Sequence, residues 1–194
     1  MPPDRSGLNP DRKSGRKKAM FSDNSLLPKE TIRLAALGIL SEGPLAYADL
    51  ANAVRQFVGR IAGPSLELTG PSIEMLRYEG LVEPVGEEKD PPLTLTEEGR
   101  TELLALLKAT VRPPLTDVSK LVIALKMRFL SLLDAEERRD QVDLMIDASE
   151  LELARLNDLL NTEAHDAYFQ DWLKHDIALA ESRLTWLHAF HDRV

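Results

Sequence analysis

The feature that most constrains this chain is a change of hydrophobic period between residues 80 and 100. Before Gly80 the apolar side chains recur at helical spacing. After it, Leu81-Val82-Glu83-Pro84-Val85 reads as a short strand, residues 86–92 as a charged turn, and Leu93-Thr94-Leu95 as a returning strand. Thr96 then stands where a cap is needed, Glu97 and Glu98 suit the positive end of a helix, and Leu103, Leu104 and Leu107 resume the helical period. A two-stranded hairpin set between helices restricts the chain to a few architectures.

Three helices are expected upstream. Pro28, Lys29 and Glu30 suit a first turn, and Ile32, Ala35, Ala36, Ile39 and Leu40 form the stripe of helix one. Gly43-Pro44 ends it. Tyr47, Leu50, Ala51, Val54 and Phe57/Val58 repeat the spacing for helix two, and residues 59–68, which include Gly63 and Pro64, read as a linker. Helix three starts beside Thr69, carries Pro71 in its first turn and stops at Gly80. Helix, helix, helix, hairpin, helix is the order of a winged helix-turn-helix, with helix three placed to enter a DNA major groove.

Adjacent Pro113 and Pro114 cannot continue a helix and mark the expected boundary between residues 25–112 and 113–194. The second unit reads as helical throughout. Val118, Leu121, Val122, Leu125, Phe129 and Leu132 keep one face over 116–133, Asp134 with Glu137 resembles a capping box opening a helix to about residue 160, and a last helix spans about 162–191. That last helix carries two apolar seams. Phe169, Leu173, Ile177, Ala180, Leu184 and Leu187 form one; Tyr168, Trp172, Leu179, Trp186 and Phe190 form the other. Two seams call for packing on two sides, and the second partner is expected to be another copy of the chain. The expected fold class is therefore mostly α: a winged helix-turn-helix domain followed by an all-helical, coiled-coil-like dimerisation domain.

The net charge of −8 argues at first against nucleic acid, but it is unevenly spread. Residues 1–20 carry six basic and two acidic side chains, 21–112 nine and fourteen, and 113–194 nine and sixteen, giving +4, −5 and −7. Residues 1–24 are polar and rich in Pro, Gly and Ser, and read as a disordered basic arm. Its cluster Arg12, Lys13, Arg16, Lys17 and Lys18 suits DNA; the alternatives are a solubilising tail or an extension upstream of a start at Met20. The absence of cysteine excludes disulfides, thiolate metal sites and a cysteine nucleophile. No apolar run approaches 18 residues and no secretory core follows the N-terminal charges, so the expected location is the cytoplasm, with no membrane contact.

The segment Leu37-Gly38-Ile39-Leu40-Ser41-Glu42-Gly43-Pro44-Leu45-Ala46-Tyr47-Ala48-Asp49-Leu50 resembles the first-helix region of the PadR family of bacterial winged-helix regulators. Leu76, Glu79, Gly80, Leu81 and Val82 resemble the end of its recognition helix, and Leu93, Leu95, Thr96, Glu97, Glu98, Gly99 and Arg100 its strand-to-helix junction. The resemblance covers about residues 28–190 and implies a homodimeric regulator of double-stranded operator DNA, mostly a repressor, that senses small planar compounds in some members. Two departures bear on DNA contact. Gly70 stands where the family commonly has an aromatic, and the wing turn reads Glu87-Glu88-Lys89-Asp90-Pro91-Pro92, where family wings often offer arginine or lysine.

The DNA-contact candidates are Ser65, Thr69, Ser72 and Arg77 on and before helix three, Arg60 before it, Arg55 on helix two, and Tyr47. Hydroxyls bond phosphate or base edges, and an arginine reads guanine bidentately. Arg77 alternatively pairs with Glu74 or Asp90, and Tyr47 alternatively fills the edge of the core. Trp172, Trp186 and Tyr168 are candidates for a planar effector; packing in a dimer core is the competing reading. His188 and His191 have helical metal spacing, but two histidines at a chain end do not make a site, and no metal or cofactor is expected. No phosphate loop, dinucleotide fingerprint, nucleophile elbow or zinc-protease motif is present, so no catalytic residue is assigned. The acidic wing leaves a second function open, a winged helix used to bind protein.

Overall fold

The computed structural model describes residues 26–63, 69–111, 115–162 and 166–194. The expected arm, Ser65 and the Pro113-Pro114 pair lie outside the described residues, as do the side chains of 69–72. In chain order the elements are α1 (Pro28–Leu40), α2 (Tyr47–Ala62), α3 (Thr69–Tyr78), β1 (Val82–Pro84), β2 (Leu93–Leu95), α4 (Glu97–Leu107), α5 (Asp117–Phe129), a single 3-10 turn (Leu130–Leu132), α6 (Ala135–Thr162) and α7 (Ala167–His191). The expected order of helices and hairpin holds, and the fold is a winged helix followed by a helical region.

α1 is the centre. Leu34 and Leu37 are buried along with Ile32, Ala35, Ala36, Ile39 and Leu40, so the helix is enclosed on every side rather than along one stripe. It packs against α2, α3, α4 and α5. The Glu30 carboxylate accepts from the Leu27 amide at 2.7 Å, satisfying one donor of the first turn. Gly38 sits against the Phe129 ring: a Cβ there would stand 2.3 Å from Cε2, so only glycine lets α5 approach.

The hairpin pairs Val82 with Leu95, Glu83 with Thr94 and Pro84 with Leu93. Leu45 adds a bridge to Leu93, with amide-to-carbonyl distances of 3.1 and 2.7 Å. Gly80, at φ +73°, makes the turn out of α3 that a residue with a Cβ resists. Thr96 then fastens the other end: its hydroxyl accepts from the Gly99 amide at 3.0 Å and donates to the Gly80 carbonyl at 2.8 Å. Thr96→Ala removes both bonds and is expected to cost about 1–2 kcal/mol, read from the urea midpoint.

Some boundaries differ from the expectation. The linker foreseen from residue 59 begins only at Gly63, because Val58 and Ala62 still pack on the core and α2 continues beneath them to Ala62. Gly63, at φ +81°, ends the helix. Helix five stops at Phe129 and tightens into the 3-10 turn instead of running to residue 133. The capping box at α6 forms as read: Glu137 N donates to Asp134 Oδ1 at 2.8 Å and Asp134 N to Glu137 Oε2 at 3.3 Å. α7 begins at Ala167, not near 162, because the Asp166 carboxylate accepts from the amides of Tyr168 and Phe169 at 2.8 and 3.1 Å.

α5 belongs to the same core as the winged helix. Arg128 forms a two-pronged pair with Glu42, its Nη2 at 2.9 Å from Oε2, and lies 5.1 Å from the centroids of both the Phe57 and Phe129 rings. α6 and α7 form a long antiparallel pair. Its outer part has its own small core of Leu156, Leu173, Ile177 and Ala180, while Val142, Met145 and Leu187 join the main core. Among the described residues no helix is long and apolar enough to cross a membrane.

Candidate nucleic-acid interface

Two of the described side chains seat α3 on the core. Ile73 and Leu76 are buried against the winged-helix core, as their spacing implied, and the opposite face carries Glu74, Met75, Arg77 and Tyr78 into solvent. Arg33 of α1 anchors the end of the helix through Glu79 at 2.6 Å and Glu102 of α4 at 3.1 Å. This positioning arginine was not singled out in the sequence. It sits inside a run dominated by apolar residues, where a bridge between two later helices leaves no local signal.

Between α3 and the hairpin lies a cleft of about 580 Å³ lined by Tyr47, Glu74, Arg77, Glu88, Lys89 and Asp90, with Ile73 and Leu93 at its floor. The fold thus brings Tyr47 and Arg77 together, from positions 30 residues apart, and adds Lys89 from the otherwise acidic turn. The Arg77 side chain has no ion-pair or hydrogen-bond partner among the described residues, so its guanidinium is available to a ligand. Tyr47 is half-buried and packs on the core edge. Burial pushes its phenol above the ordinary value and the Glu74 charge pushes it the same way, so the hydroxyl stays protonated and can donate.

The other candidates are dispersed. Arg55 is exposed on α2 with Nη1 donating to Asn52 Oδ1 at 2.9 Å. Arg60, expected in a linker, stands on the last turn of α2, exposed. Thr69 and Ser72 belong to the backbone of the first turn of α3.

On α7 the two aromatic pairs are separate. Phe169 stacks on Trp172 with centroids 5.4 Å apart, and Trp186 on Phe190 at 5.1 Å. Fourteen residues of helix put Trp172 and Trp186 about 21 Å apart, so one small planar molecule does not reach both within a chain. Tyr168 is 90% exposed, Trp172 51%, Leu179 51% and Trp186 49%, whereas Leu173, Ile177, Ala180 and Leu187 of the other seam are buried. His191 faces Asp143 of α6 at 3.2 Å, and no group of three metal-binding side chains exists among the described residues.

A family described as "Putative AphA-like transcriptional regulator" matches residues 21–191. The chain belongs to this family of AphA-like transcriptional regulators. The match spans the winged helix and the helical region alike, so the regulator foreseen from the sequence takes in all the described elements. Among solved structures, Bacillus subtilis PadR aligns over 86% of this chain and 96% of its own, at 20% identity and a TM-score of 0.36. Bacillus subtilis PadR in complex with p-coumaric acid aligns over 86% and 97%, at 22% identity and 0.38. The same protein in complex with operator DNA aligns over 84% and 97%, at 20% and 0.35. No curated protein matches the chain.

Proposed function

We propose that this regulator binds double-stranded operator DNA as a homodimer, acts as a repressor in the cytoplasm, and works without catalysis. The observation that carries the reading is the unpaired Arg77 on the outer face of α3, held out by Ile73 and Leu76 beneath it. An arginine presented from a recognition helix reads guanine through O6 and N7. Tyr47 supplies a phenol from α2, Arg55 and Arg60 charge for phosphate, and Ser65, Thr69 and Ser72 remain contact candidates on residue type alone. Residues 25–112 form the DNA-reading unit and 113–194 the dimerisation unit, with α5 as the seam between them. The exposed seam of α7 supports the dimer: large aromatics left half in water on a helix already packed on its other side are what an interface between subunits covers. Such an interface also brings a second set of aromatics beside the first, which suits a planar effector.

The test is a mobility shift on the protein's own promoter region. Arg77→Ala is expected to weaken specific binding by tenfold or more while leaving the melting temperature unchanged, since the side chain is exposed. Deleting residues 1–24 is expected to lower the slope of log affinity against log salt by several units; an unchanged slope removes the arm from the interface. A second reading is favoured by the lip of the cleft, where exposed Glu87, Glu88 and Asp90 outnumber Lys89. Phosphate is repelled there, and a basic protein surface is attracted. Absence of any specific shift at moderate salt puts this protein-binding reading ahead.

A further inference from the structure

The junction between the winged helix and the C-terminal helices encloses an amine. The side chain of Lys126, on α5, is 1% exposed. Its Nζ donates to the carbonyl of Leu107 at the end of α4 and to Oε1 of Gln141 on α6, the latter at 2.7 Å. These are its two partners among the described residues. Gln141 is itself buried.

Both partners are neutral, and no charged side chain pairs with the amine among the described residues. From α4 comes Lys108, which pairs with Glu137 of α6 at 2.9 Å. From α6 comes Arg138, one turn before Gln141 and next to Glu137. On α5 itself Arg128 is turned away to Glu42. Asp140, which precedes Gln141, is exposed, and no carboxylate forms an ion pair with Lys126 among the described residues.

The count of hydrogen bonds points the same way. A neutral amine has two N–H donors, and two acceptors face it. An ammonium has three, and no third acceptor is available among the described residues in a place closed to water. We propose that Lys126 is a proton-operated latch: the neutral amine fastens α4 and α5 to α6, and protonation loosens this junction and frees the C-terminal helices to reorient against α3 and the wing. The inference deepens the proposed function, since the device regulates a DNA-reading unit through a dimerisation unit.

Burial holds the Lys126 amine at a pKa of about 7, against its ordinary 10.5. In the unfolded chain the lysine has the ordinary value. Between about pH 7 and 10.5 the unfolded state therefore binds a proton that the folded state lacks, and stability rises with pH through this window. The folding constant gains about tenfold per pH unit from this group. Below pH 7 both states carry the proton and the dependence from this group ends.

The experiment uses the full chain without DNA, so its outcome is independent of whether an operator is bound. Lysine ¹³Cε resonances are followed from pH 5.5 to 11, hydrogen exchange of α6 is compared at pH 6 and 8.5 after correction for intrinsic rates, and urea unfolding is measured over pH 7–10 for wild type and Lys126→Met. The expected result is a lysine resonance titrating near 7 that is missing in the variant. With it come protection around Gln141 that falls at pH 6 in wild type alone and a rise of stability with pH that the variant lacks. A Lys126 resonance titrating near 10.5, or α6 protection equal at the two pH values, overturns the proposal. If the variant does not fold, the wild-type titration and exchange decide alone.

Discussion

Gly99→Ala is expected to destabilise the protein by about 3 kcal/mol and to abolish promoter binding at concentrations where the wild type is saturated. A Cβ at this position would stand 2.0 Å from the Leu81 carbonyl oxygen and 3.0 Å from its carbon. Both are backbone atoms, so no side-chain rotation relieves the clash. The first turn of α4 must lift from the hairpin, and the bonds that seat it are lost with that movement. These are the Thr96 amide to the Leu81 carbonyl at 3.1 Å, and the Thr96 hydroxyl to the Gly80 carbonyl at 2.8 Å. Since β1 starts one residue after Leu81, the wing shifts as well, and with it Lys89 on the far wall of the cleft. Urea unfolding followed by circular dichroism measures the first effect and a mobility shift the second. A midpoint within experimental error of wild type would show that α4 does not rest on the hairpin as described.

The second large effect concerns assembly. Trp172→Glu together with Trp186→Glu is expected to leave the chain folded but to weaken self-association by a hundredfold or more, giving the mass of one chain in light scattering at micromolar concentration. Both indoles are about half exposed within the chain, so their removal opens no cavity. Across an interface they would be the enclosed aromatics that dominate binding, and two buried carboxylates in their place are not tolerated. The same substitutions on the buried seam, at Leu173 or Leu187, would unfold the helical pair instead. A double variant that keeps the wild-type mass refutes the assignment of this seam to the dimer.

The sequence disclosed the order of elements because each is bounded by a residue with a local physical signature. Gly43, Gly63 and Gly80 take positive φ, and the side chains of Thr96 and Asp134 satisfy helix amides within their own turn. It disclosed α1 less well. Leu34 and Leu37 were available to be read, but the stripe of Ile32, Ala35, Ala36, Ile39 and Leu40 already satisfied an amphipathic pattern, and enclosure on all sides depends on α5, some eighty residues later. The end of α2 was missed because Gly59 is compatible with both a loop and a helix whose packing continues to Ala62.

The candidate site was legible in part. Arg77 and Tyr47 could be named from type and position, and their meeting in one cleft follows from tertiary structure. Arg33 acts through Glu79 and Glu102, which are 46 and 69 residues away. Lys126 did leave a trace. With Val122 and Phe129 it occupies an i, i+4, i+7 row of α5, a lysine on an apolar stripe, and such a residue is either a mistake in the assigned face or a buried amine.

The close approach of Gly38 to Phe129 also bears on how the chain is made. Synthesis proceeds from the N-terminus, so α1 to α4 leave the ribosome before α5 exists. During that interval the side of α1 reserved for Phe129 is bare, and a helix buried along most of its length lacks part of its cover. A nascent chain of this sequence therefore has a waiting period of some twenty residues of elongation, between the end of α4 and the end of α5. Its exposed strip must stay solvated, or chaperoned, until the last wall of its own core arrives.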